Sequence, residues 1–108
     1  MVMASSNFNR RAAKAAEETA NFDQHLSRLD DDIRKLKIEF DIYFNGSTKG
    51  RRPPLEARAR LEAFIRRLSD NRSVSYAQRY QLGMLVSRYS SYRELWRRLL
   101  RTKGEDLL

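Results

Sequence analysis

One imidazole and no thiol limit the chemistry open to this chain: His25 is its only histidine, and cysteine is absent. Zinc and copper sites need several imidazole or thiolate ligands, so His25, beside Leu26 and near Asp23, reads as a helix-surface histidine. The run Asp30-Asp31-Asp32 offers carboxylates to a hard cation. Consecutive helical residues point about 100° apart, however, and do not converge on one ion. Gly46-Ser47-Thr48-Lys49-Gly50 has the residue types of a phosphate loop without its spacing, and no strand precedes it to aim backbone amides at a nucleotide. No carboxylate pair, serine–histidine arrangement or glycine-rich fingerprint is spaced for acid–base or nucleophilic catalysis. The expectation is a protein that is not an enzyme, with no catalytic residues, no cofactor and no metal.

Arginine is the exception. The chain holds 22 basic and 14 acidic residues, a net charge of +8. Residues 1–20 carry three bases and two acids, residues 21–46 four and six, and residues 47–108 fifteen and six, or +1, −2 and +9. Thirteen of those fifteen bases are arginine, whose planar fork grips carboxylates and phosphates and keeps its charge when partly buried. Arg51 and Arg52 stand at the entrance of a helix, Arg60, Arg66 and Arg67 on its flank and outer side, and Arg97, Arg98 and Arg101 on the outward side of the helix that follows. These eight are the expected binding surface for a polyanion or an acidic partner. With nucleic acid they would give sequence-independent, salt-sensitive attraction. The competing expectation is that they pair with Glu56, Glu62, Glu94 and the acids of the first helix and keep the protein dissolved. Tyr89, Tyr92 and Trp96, interleaved with arginines, have the chemistry of base-stacking platforms, but they lie on an apolar stripe, and such aromatics belong to cores more often than to ligand sites.

The elements that must position these groups are helices. Phe22, Leu26, Leu29, Ile33, Leu36, Phe40 and Tyr43 alternate steps of four and three, the spacing of a coiled-coil seam. The same steps run backwards through Thr19, Ala15, Ala12 and Phe8, which predicts one helix over about 8–45 with a thin first half. Leu36, Ile38, Phe40, Ile42 and Phe44 also alternate as a strand would, with Asn45-Gly46 as a turn. No second strand-like run follows, and a lone strand leaves its backbone unpaired. Ile38, Ile42 and Phe44 are therefore expected to widen the seam for a packing helix. Asn45 to Pro53 is the clearest break. Pro54 suits a first helical turn, and Ala57, Leu61, Phe64, Ile65 and Leu68 form the buried stripe of a second helix ending near Leu68. Ser75 with Gln78 makes a capping box for a third, expected to run to Lys103 with Gly104 as its stop. Leu82, Leu85, Tyr89, Tyr92, Trp96 and Leu99 repeat the seam there, and Tyr76, Tyr80, Val86, Leu95 and Leu100 are expected to broaden its apolar face.

The predicted fold class is all-α: an antiparallel three-helix bundle or coiled-coil hairpin with an extended first helix. Residues 1–21 form an alanine-rich extension that frays, projects or pairs with another copy, residues 22–103 the bundle domain, and residues 104–108 a tail. The flanking charges do not decide between self-pairing and packing within the chain. No stretch approaches the apolar length of a membrane span or a secretory signal, which makes a membrane an unlikely partner and the cytoplasm the default compartment. Two functions fit. The first is a helical coiled-coil interaction module, a scaffold, adaptor or assembly subunit, binding a protein partner or itself through the heptad seams. The second is a nucleic-acid- or ribosome-associated protein that holds phosphates on the arginine-rich surface of its second and third helices.

Overall fold

The computed structural model of the chain describes residues 2–46 and 51–103, with side chains from Asn9 onward. The side chain of Phe8, the loop residues 47–50 including Lys49, and the tail 104–108 with its expected stop at Gly104 lie outside the described residues. Among the described residues there are three helices: α1 (Val2–Asn45), α2 (Leu55–Ser69) and α3 (Tyr76–Thr102). Among the described residues there is no strand, and the alternating stretch at residues 36–44 is helical.

Cross-helix contacts give the chain directions. Gln78 reaches Thr19 and Asp23, Arg88 reaches Asp30, Trp96 stacks on Phe40, and Lys103 lies over the Tyr43 ring. Residue numbers rise together along both elements, so α1 and α3 run parallel. In α2 the order is reversed: Phe64 meets His25, while Ala57 and Arg60 line a groove with Glu39. The result is an up-down-up bundle in which α2 and α3 both pack on the second half of α1.

The seam of α1 is spent on this packing. Phe22, Leu26, Leu29, Ile33, Leu36, Phe40 and Tyr43 are all buried, against Leu61, Phe64 and Leu68 of α2 and Leu82, Leu85, Tyr89, Trp96 and Leu100 of α3. Ala57 and Ile65 pack on the core from the edge of the α2 stripe. Trp96 is the centre of the aromatic end: its ring lies 4.1 Å from Phe40 and 5.8 Å from Tyr92 in stacked geometry, with Tyr89 edge-on at 6.1 Å. At the other end Gln78 performs two tasks. Its backbone N–H donates to Ser75 Oγ and its Oε1 accepts from Ser75 N–H, closing the predicted capping box. Its Nε2 donates to the Thr19 carbonyl and to Asp23, both at 2.9 Å, tying the start of α3 to α1.

Four expectations are corrected. Leu99 is half-buried and Leu100 takes the core position, because a helix with 3.6 residues per turn drifts about 20° per heptad from a strict 3.5 repeat. Ile38 and Ile42 do not widen the seam but are exposed. Each follows a seam residue by two positions, about 200° around the helix, and only Phe44 of that trio packs on the core. Tyr76, Tyr80 and Leu95 are likewise exposed rather than part of a broadened face on α3. Arg97 is not outward: it is half-buried, flanking the core one position after Trp96.

Residues 9–21 of α1 are exposed throughout. At 1.5 Å per residue the 44-residue α1 spans about 66 Å, close to the 71 Å long dimension of the molecule, so the first half of α1 projects beyond the bundle.

Candidate polyanion interface

Whether the arginine surface is free depends on which cations the acids of the bundle have already engaged. Asp30 pairs with Arg34 and Arg88, Asp32 with Arg28, and Asp41 with Lys37. Glu62 accepts a hydrogen bond from Arg58 at 2.9 Å and another from the Tyr89 hydroxyl at 2.6 Å, and Arg93 Nε lies 3.1 Å away as an ion contact. This cluster fills the α2–α3 contact. Burial, then the hydrogen bond to Glu62, raises the Tyr89 phenol well above its ordinary pKa. None of these pairs uses Arg51, Arg52, Arg60, Arg66, Arg67, Arg97, Arg98 or Arg101, and neither Glu56 nor Glu94 forms an ion pair among the described residues.

The eight arginines do not share one surface. Arg60 and Arg67, two turns apart on α2, line a groove of about 400 Å³ between α1 and α2, with Arg28 and Lys35 on the opposite wall. Phe64 is on that wall of α2, and the guanidinium carbons of Arg28 and Arg67 lie 5.2 and 5.6 Å from its ring centroid. Arg51, Arg52 and Arg60 line an adjoining groove with Pro53 and Pro54. Arg60 belongs to both, so Arg51, Arg52, Arg60 and Arg67 follow one flank of α2. Asp32 and Glu39 also line this track, and Asp32 is engaged by Arg28. Arg66, Arg98 and Arg101 are exposed outside both grooves, and the Nε of half-buried Arg97 is buried without a hydrogen-bond partner.

Arg28 and Lys35 are the site residues that sequence reasoning passed over. Both lie on the helix whose charge is net negative, and only the antiparallel register of α2 against α1 brings them opposite Arg67 and Arg60. Tyr89 and Trp96 are buried and Tyr92 half-buried, so their ring faces belong to the core. His25 is exposed and meets Phe64 edge-on at 6.0 Å. Among the described residues no group of three or more histidines and acids is placed to hold a metal ion, and no helix is long and apolar enough to cross a membrane.

No protein-family model, curated protein or solved structure matches the chain.

What such a track does chemically follows from guanidinium alone. Four exposed cations, two in the entrance segment and two about two turns apart on α2, without an ion pair among the described residues, would attract a linear series of anions. Nothing in the grooves selects one small molecule: they are open and have charge on both walls. A polymer with regularly spaced phosphates would meet several of these arginines at once, and each such contact would release condensed counterions.

Proposed function

We propose that this protein is a non-enzymatic helical binding module whose partner is the phosphate backbone of nucleic acid, held along the α1–α2 groove. The observation that supports this reading is the state of the arginines on that flank: Arg51, Arg52, Arg60 and Arg67 make no ion pair among the described residues, and of the acids along the track Asp32 is held by Arg28 while Glu39 and Glu56 are in no ion pair either. The seams weigh against a partner bound through heptads at residues 22–43, since those side chains fill the protein's own core.

The test compares two double variants in binding to generic RNA and duplex DNA. Arg60→Glu with Arg67→Glu reverses charge in the groove, and is expected to lower affinity at least tenfold and to reduce the salt slope by about 2. Arg98→Glu with Arg101→Glu, outside the groove, is expected to change affinity less than threefold. Equal losses from the two pairs would contradict the groove as the contact surface.

A second reading, a helical scaffold that assembles through α1, is favoured by one observation. Residues 9–21 are exposed, with Ala12 and Ala15 in register with the buried seam and beyond Thr19, where Gln78 of α3 makes its contact. Light scattering tests it: a discrete assembly that a chain lacking residues 1–17 no longer forms is the expected result, and a monomer at high micromolar concentration is the contradictory one.

A further inference from the structure

The end of the bundle where α2 turns into α3 carries a second concentration of cations, this one with open aromatic rings. Arg66 and Arg67 close α2, Arg72 lies in the turn, and Arg79 is in the first turn of α3; all four are exposed. None makes an ion pair among the described residues, and Asp70 is the only acid between positions 66 and 80. Tyr76 and Tyr80 are 86% and 63% exposed. They precede Gln78 and Leu82 of the buried stripe by two positions each, which turns them about 200° away from the core. Four positions apart, they share one face of α3, separated by about 6 Å along its axis. Arg79 stands between them in the chain.

We propose that Tyr76 and Tyr80 are stacking platforms for successive unpaired bases of a single-stranded nucleic acid, with Arg72 and Arg79 on its phosphates. Arg66 and Arg67 continue the track toward the α1–α2 groove. The proposal rests on the reading of the protein as a nucleic-acid binder and narrows it to single strands. In a duplex the base faces are stacked on one another and closed to side chains, whereas an unpaired base offers its π-face to an aromatic ring. Water-exposed tyrosines interleaved with unpaired arginines supply both parts of a single-strand site, the stacking surface and the charge. An apolar protein partner seated on the same rings would have to cover Arg79 without neutralising it. Glu18, beside Asn21, Asn71 and Ser73 in the groove on the α1 side of this end, repels phosphate and bounds the track there.

The experiment measures fluorescence anisotropy of a labelled oligouridine, a duplex of equal length and an abasic strand of equal length and charge, at one moderate salt concentration. Wild type is expected to bind the oligouridine more tightly than either other probe. Tyr76→Ala with Tyr80→Ala is expected to lose about 100-fold in oligouridine affinity, roughly tenfold per ring, with duplex and abasic binding unchanged. Tyr76→Phe with Tyr80→Phe, which keeps the rings, is expected to retain wild-type affinity. Because both tyrosines are exposed, the alanine variant is expected to melt as wild type does, and a melt on the same sample checks this. Unchanged oligouridine affinity in the alanine variant would overturn the proposal while leaving phosphate binding by the groove intact, as would equal losses on all three probes. Wild type that binds none of the probes would overturn both this proposal and the function it rests on, before any substitution is made.

Discussion

The Gln78 side chain holds the start of α3 in two ways. It is buried, and each of its side-chain polar atoms is used: Oε1 caps Ser75 N–H, and Nε2 donates to the Thr19 carbonyl and Asp23. Gln78→Ala removes those bonds together and breaks the side-chain tie between α3 and α1. The expected cost is about 2–3 kcal/mol, read as a lower denaturant midpoint with an unchanged slope; a loss under about 0.5 kcal/mol would contradict the tether. Tyr89 sets a pH dependence. Its phenol, buried and bonded to Glu62, is held above the ordinary value of 10.0. The folded protein therefore keeps a proton that the unfolded chain releases near pH 10. That stabilisation is fully present below this pH and is lost as pH rises above it. The melting temperature is expected to fall above about pH 10, and Tyr89→Phe to remove part of that fall while costing about 1 kcal/mol at neutral pH, where Glu62 retains Arg58 and Arg93. Identical alkaline profiles for the two proteins would contradict the assignment.

At the scale of elements, the seams and the cap were legible because they are local. Every α1 seam position from Phe22 to Tyr43 is buried, and Ser75–Gln78 closes its box, since both follow from helical periodicity and one short motif. Misjudged were the widths of the faces. Ile38, Ile42, Tyr76 and Tyr80 are exposed because each lies two positions, about 200°, from a buried residue of its own helix, and Leu95 is exposed beside buried Trp96. The seam of α1 also continues without interruption past its last partner, so the point where packing stops at Phe22 is visible only in the fold. The projecting half consequently has a separate stability. Removing residues 1–17, N-terminal to the Thr19 carbonyl that Gln78 holds, is expected to shift the melting temperature by less than about 3 °C and to lower the helical circular dichroism. A large drop in melting temperature would mean that these residues are packed against something.

Over the whole molecule, the net charge suits the anionic partner proposed here, but does not say where one would sit. The arginines of positions 47–108 are legible as an excess; their division into those that neutralise Glu62, those at the core edge such as Arg97, and those left free is a tertiary fact. Arg28 and Lys35 join the groove from the most acidic part of the chain because α2 runs antiparallel to α1. The bundle thus uses its heptads inward and leaves its cations outward, which is why a phosphate backbone, and not a helix docked in the seam at residues 22–43, is the partner its surface favours. The most direct test is the affinity of nuclease-treated protein for generic RNA across a salt series. Contacts from Arg51, Arg52, Arg60 and Arg67 predict micromolar or tighter binding at low salt and a log–log slope of about −3 to −4. Undetectable binding at low salt, or a slope near zero, would contradict the account.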